Sequence, residues 1–103
     1  MADPMRIRAQ LKGDVTEVRV LMAHIMETGQ RKDSAGNLVP AFRIQTVTAT
    51  WNGKPVLSAQ FGPAVSQNPV MNFSFKGGAK GDKVIVNWVD TKGDKRTDEA
   101  VIS

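Results

Sequence analysis

The sequence predicts an all-β fold, an immunoglobulin-like antiparallel β-sandwich of about seven strands. Three observations predict it. Apolar residues recur at every second position in one short segment after another, Gly, Pro, Asn and Asp turn chemistry separates those segments, and none carries helical apolar spacing. With 103 residues, 41% of them hydrophobic, the chain suits one domain with one core, residues 1–103. A closed small barrel is the competing arrangement.

The first strand is "MRIRAQL", where Met5, Ile7, Ala9 and Leu11 share one face and Arg6, Arg8 and Gln10 the other. After a turn at Gly13-Asp14, Val18, Val20 and Met22 alternate with Glu17, Arg19 and Leu21, and this strand is expected to end near His24. From Ala41 to Trp51 the pattern changes phase. Phe42 and Ile44 are even-numbered whereas Val47, Ala49 and Trp51 are odd, which a β-bulge near Gln45 or Thr46 would reconcile.

"WNGKPV" is the strongest local signal, because Asn52-Gly53 tolerates the positive φ values of a two-residue hairpin turn. That turn puts Leu57, Ala59 and Phe61 beside the preceding strand. "GPAVSQNP" cannot continue a ladder, since Pro63 and Pro69 lack N–H donors, and it reads as a structured loop. Met71, Phe73 and Phe75 form the next apolar row, and Val84, Val86 and Trp88 another that ends at Asp90. The last strand follows "DTKGDK" and faces inward with either Ala100 and Ile102 or Glu99 and Val101. Trp51, Phe61, Phe73, Phe75 and Trp88 all sit on the apolar phase and read as core.

Composition removes several kinds of chemistry. The chain has no cysteine, so it holds no disulfide, thiolate metal site or sulfur nucleophile of its own. Its single histidine rules out a three-histidine metal site, and Ser34 and Ser66 lack the context of a nucleophile elbow. "KGGAKGDK" lacks P-loop spacing and reads as a turn. No apolar run approaches the roughly 20 residues that span a bilayer, and "MADPMRIRAQ" lacks the apolar stretch of a signal peptide. The net charge of +4 and pI near 9.8 favour acidic or anionic partners. Nucleic-acid binding is not expected, because the aromatics lie on apolar phases while Arg31, Lys32, Lys76, Lys80, Lys92, Lys95 and Arg96 are scattered among acids. A copper site is the alternative reading, with Met22, His24 and Met26 at alternate positions offering two thioethers and an imidazole.

The longest stretch without periodicity is "HIMETGQRKDSAGNLVP", and a small domain that keeps an ordered loop of that length usually uses it. "HIMETGQRKD", then "GNLVPAFRI", "WNGKPV", "GPAVSQNP" and "GDKVIVNWVDTKG", resembles the SoxZ family of the bacterial sulfur-oxidising system along nearly the whole chain. The segments His24 to Asp33 and Gly62 to Pro69 carry most of that specificity. The resemblance implies a non-catalytic subunit, without a cofactor, that forms a tight heterodimer or a higher assembly with SoxY. In that system the C-terminal cysteine of SoxY carries covalently attached sulfur intermediates during thiosulfate oxidation, and other Sox enzymes visit the SoxYZ complex transiently. It further implies a periplasmic location reached in company with SoxY, with no signal of its own. Met26, Glu27, Thr28, Gly29, Arg31, Phe42, Pro63, Val65 and Asn68 are the residues expected at the partner interface, because a rigid sandwich positions loops at its ends.

Overall fold

The computed structural model describes residues 4–24, 26–27, 31–61, 65 and 67–103. Their strands run β1 (Arg6–Lys12), β2 (Val15–Leu21), β3 (Ile44–Trp51), β4 (Lys54–Gln60), β5 (Val70–Lys76), β6 (Lys83–Asp90) and β7 (Lys95–Val101). All pairings are antiparallel, in a three-stranded sheet β1-β2-β5 and a four-stranded sheet β4-β3-β6-β7. This is the expected sandwich. β1, β2 and β5 take the places of immunoglobulin strands A, B and E, and β3, β6 and β7 those of C, F and G.

Turn chemistry decides where β4 goes. Asn52 and Gly53 have φ of 49° and 79°, the double positive values of the hairpin turn expected there, so β4 folds back onto β3 and not across to β5. The bulge expected near Gln45 or Thr46 is also present: β3 pairs Ile44 with Asp90 and then Thr46 with Val89, which leaves Gln45 unopposed. That extra residue brings Ile44, Val47 and Ala49 onto one buried face. A second register shift, where Ala49 pairs with Leu57 and Thr50 with Pro55, has no counterpart in the sequence reading.

The core lies between the sheets, with Ala9, Val18, Val20, Met22, Ile44, Val47, Val84, Val86, Trp88 and Ile102 at its centre. In the last strand Ala100 and Ile102 face inward, while Val101 is exposed. Of the five aromatics read as core, only Trp88 is fully buried; Trp51, Phe61, Phe73 and Phe75 are half-buried.

The two flanks of the sandwich explain that difference. On one flank the sheets are tied together: Ser103 donates its N–H to Ala9 and accepts that of Leu11, and Met5 N–H donates to Asp98 Oδ2 at 2.9 Å. On the other flank no backbone hydrogen bond joins β4 to β5, so the structure is an open sandwich and not a closed barrel. Leu57, Phe61, Met71, Phe73 and Phe75 point into this unclosed flank and stay half-buried.

Two tests address this packing. Gly78 has φ +98°, and a Cβ there would collide with Oγ1 of the fully buried Thr16, which donates to the Gly77 carbonyl at 2.7 Å. Gly78→Ala is expected to cost about 2 kcal/mol or more in urea unfolding, from backbone strain and overpacking together. The second test concerns the closed flank. Hydrogen bonds from Arg96, at 2.8 and 2.9 Å, hold the Asp98 carboxyl below the usual carboxylate range; burial opposes them, and the Met5 N–H and the Arg96 charge assist. A carboxyl depressed in the folded state contributes stability that is complete above its unfolded pKa of about 3.9 and fades as pH falls through the lower folded value. Thermal melts across that acidic range should therefore lose less stability in Asp98→Asn than in the unmodified chain.

Candidate partner-docking site

β2 stops at Leu21, short of the expected His24, because the loop before β5 takes over its hydrogen bonds. Met22 N–H donates to the Pro69 carbonyl at 2.9 Å, His24 N–H to Asn68 Oδ1 at 3.1 Å, and Asn68 N–H to the His24 carbonyl at 2.8 Å. Pro69 has no N–H to offer, so ladder pairing starts at Val70.

The His24 side chain is buried in this corner and both ring nitrogens are engaged. Nδ1 accepts the Met26 N–H at 3.0 Å, so the ring proton sits on Nε2, which donates to Asp90 Oδ2 at 3.2 Å. Asp90 is itself only 2% exposed, and its Oδ1 accepts the N–H groups of Lys92 at 2.9 Å and Asp94 at 3.0 Å. One carboxylate thus ties the β6–β7 turn to the root of the long 24–40 segment. Phe42 packs on the imidazole at 4.7 Å with the rings tilted by 59°, Trp88 meets it edge-on at 5.3 Å, and Lys92 Nζ lies 4.3 Å above the Phe42 ring. Trp88 Nε1 is buried without an acceptor among the described residues.

From this root the chain forms a narrow two-stranded arm. Glu27 and Phe42 exchange both backbone hydrogen bonds, at 2.7 and 3.0 Å, Val39 N–H donates to the Arg31 carbonyl, and Lys32 bridges Leu38. Asp33 shapes the tip, its Oδ1 accepting the N–H groups of Ala35 and Asn37. Residues 31–38 are all exposed, Leu38 at 62%. Arg31 turns back to Glu27 in a fork of bonds at 2.6, 2.9 and 3.2 Å, and Glu27, by hydrogen bond and then by charge, raises the guanidinium pKa further.

Of the expected interface residues, Glu27, Arg31 and Phe42 lie on the arm or at its base, and Asn68 is exposed beside His24. Val65 is half-buried against the core. Met26 is 5% exposed, with φ 53° and its sulfur accepting the Ile44 N–H, so it holds the arm's root from inside. Thr28, Gly29 and Pro63 lie outside the described residues. Met22, His24 and Met26 do not form a free set of copper ligands: all three are buried, and the imidazole nitrogens and the Met26 sulfur already serve protein donors and acceptors. Among the described residues no group of three or more His, Asp and Glu side chains is placed to hold a metal. The residue that sequence reasoning missed is Asp90. Its signal was its parity, since it follows Val84, Val86 and Trp88 on the inward phase, where a carboxylate needs partners.

Comparison with known proteins bears on the family of the whole chain. The family described as sulphur oxidation protein SoxZ matches residues 5–101. The chain belongs to the SoxZ family. None of the curated proteins matches this SoxZ-family chain in sequence. Among solved structures it is similar to a superoxide reductase in the oxidised state, at TM-score 0.64 and 14% identity over 99% of this chain and 89% of that one. It is also similar to a reduced superoxide reductase (neelaredoxin) variant from Archaeoglobus fulgidus, at TM-score 0.60 and 19% identity over 97% and 86% of the two chains. The superoxide reductase (neelaredoxin) from Ignicoccus hospitalis is a third, at TM-score 0.57 and 15% identity over 99% and 82%. At such identities the likeness concerns the fold alone.

Replacing Asp90 by alanine should cost about 3 kcal/mol or more in equilibrium unfolding, because one buried donor and two turn amides lose their acceptor together. Amide exchange at Lys92, Asp94 and Met26 should accelerate in that variant beyond the change in global stability, which separates loss of this node from general weakening.

Proposed function

We propose that this chain is the non-catalytic subunit of a SoxYZ sulfur-carrier complex. In this reading it binds and supports SoxY, whose C-terminal cysteine carries the covalently attached sulfur intermediates of thiosulfate oxidation. The observation that carries the proposal is the family match over residues 5–101. Composition agrees with it: covalent sulfur carriage needs a thiolate, and this chain has no cysteine, so the reactive sulfur belongs to another protein.

The geometry favours docking at the arm end and along the unclosed flank. Phe42, Phe61, Val65 and Met71 are half-buried apolar side chains at or beside the arm's root, the kind of residue that anchors interfaces when a partner finishes their burial. β4 and β5 are edge strands whose outer hydrogen-bonding groups no other strand among the described residues takes, and a partner segment can pair with such an edge. Glu27, Arg31 and Asn68 then form the polar rim. Other Sox enzymes meet the chain only transiently, through the assembled complex, and its place is the periplasm, reached in company with SoxY.

Co-expression with a SoxY-type chain checks this. The two should co-purify and elute as one species on size exclusion at micromolar concentration; clean separation into two peaks would remove the proposed mechanism.

A further inference from the structure

The outer face of the three-stranded sheet carries a cluster that neither the fold nor the SoxY reading uses. In β1 the exposed side chains are Arg6, Arg8, Gln10 and Lys12, and in β2 they are Glu17, Arg19 and Leu21. The register places Arg8 directly opposite Arg19, with Arg6 opposite Leu21 one step along the same face. Like charges facing each other across two strands destabilise a sheet. The only carboxylate among these side chains, Glu17, is bonded to Lys12 at 2.9 Å. The guanidinium groups of Arg6, Arg8 and Arg19 have no hydrogen bond or ion pair among the described residues.

Two shallow grooves of about 460 and 350 Å³ meet over this cluster, and Arg8 and Arg19 line both. Beside them Leu21 and Val70, paired across β2 and β5, are 38% and 49% exposed. The outer face of the other sheet is different in kind. There Thr46, Thr48, Thr50 and Asn87 lie among the exposed Ile85 and Val101, and Lys83 is matched by Glu99 at 3.5 Å, with no facing pair of like charges.

The geometry points to a docking surface for an acidic protein partner, with carboxylates received by the Arg6–Arg8–Arg19 cluster and an apolar contact by Leu21 and Val70. Arginine forks bind carboxylates in two-point fashion, and three of them on one flat face suit several carboxylates on one partner. A single small anion fits less well, since every guanidinium here is exposed and salt screens an isolated contact of that kind. The net charge of +4 adds long-range attraction for the same class of partner. This inference does not rest on the SoxY reading, because the arginines lie on the outer face of β1 and β2, neither of which forms the β4 and β5 edges.

The test uses the full chain and an oligoglutamate peptide as probe, with binding followed by calorimetry at low ionic strength. Arg8→Glu with Arg19→Glu should weaken binding roughly tenfold or more, whereas Lys80→Glu with Lys95→Glu, an equal change in net charge placed elsewhere, should weaken it less than about twofold. Arg8→Gln with Arg19→Gln should also lose binding while its melting temperature holds or rises, as relief of the facing charges requires. Equal weakening by the two Glu pairs would overturn the proposal in favour of net charge alone. A lower melting temperature for the Gln pair would overturn it in favour of a structural role. Inorganic sulfate or a single-stranded oligonucleotide binding to the arginines as tightly as the peptide would overturn it in favour of a different ligand. Co-purification with a SoxY-type chain, repeated with the Arg8→Gln, Arg19→Gln pair, keeps the two readings apart: retention there with loss of peptide binding separates this face from the SoxY surface.

Discussion

The buried carboxylate of Asp90 is the constraint on which the arm end of this molecule depends. A carboxylate taken out of water must be compensated in full, and Asp90 has three donors: the imidazole N–H of His24 and the amides of Lys92 and Asp94. Each donor belongs to a segment that would otherwise have little to fix it. The β6–β7 turn is shaped by the two amides, and the root of the arm by the imidazole, whose second nitrogen then orients Met26. From Met26 the order passes to Ile44 at the start of β3, so the arm leaves the sandwich from a corner that is held on both sides. Phe42 covers that corner by packing its tilted ring against the imidazole.

This arrangement explains why a chain with one histidine uses it for structure. An imidazole free for acid–base work needs an accessible nitrogen, and in His24 both nitrogens are committed inside a buried site. What the corner provides is position. An arm whose eight residues 31–38 are all exposed gains little from its own packing, and its geometry is set by backbone pairing, the Asp33 turn and the root. Such an element can present a surface to a partner at low entropic cost, because much of the ordering has already been done.

Local chemistry made most of the fold legible in the sequence. Period-two rows set the strands, Asn52-Gly53 set the hairpin, and the break in parity between Ile44 and Val47 located a bulge near Gln45 or Thr46, because each depends on a few adjacent residues. What the sequence concealed depends on contacts between distant segments. Phe61, Phe73 and Phe75 have the phase of core residues, and only the strand order reveals that β4 and β5 leave their flank uncovered. The end of β2 at Leu21 was hidden for the same reason, since the competing acceptors come from Asn68 and Pro69. At the candidate site, the loop segments were identifiable, but the burial of Met26 inside the root, next to a half-buried Glu27, goes with a positive φ that periodicity cannot anticipate. The arginine pair was closer to legible: a two-residue turn at Gly13-Asp14 fixes the register that sets Arg8 against Arg19.

The same sandwich therefore treats its surfaces unequally, and the inequality has a physical logic. One flank is closed by Ser103 and Asp98, and the outer face of the four-stranded sheet is threonine-rich and pairs Lys83 with Glu99, so neither sets like charges against each other. The opposite flank leaves apolar rings half in water, and the outer face of β1 and β2 sets Arg8 against Arg19, with Arg6 beside them, while its one carboxylate, Glu17, is taken by Lys12. Each of these is unfavourable for the isolated chain, one through hydration of apolar area and the other through charge repulsion. The two costs are of different kinds and lie on different surfaces, so a single small ligand would relieve at most one. Relief of both would take two contacts of different chemistry, one that covers apolar side chains and pairs with a strand edge and one that brings carboxylates to the guanidinium groups.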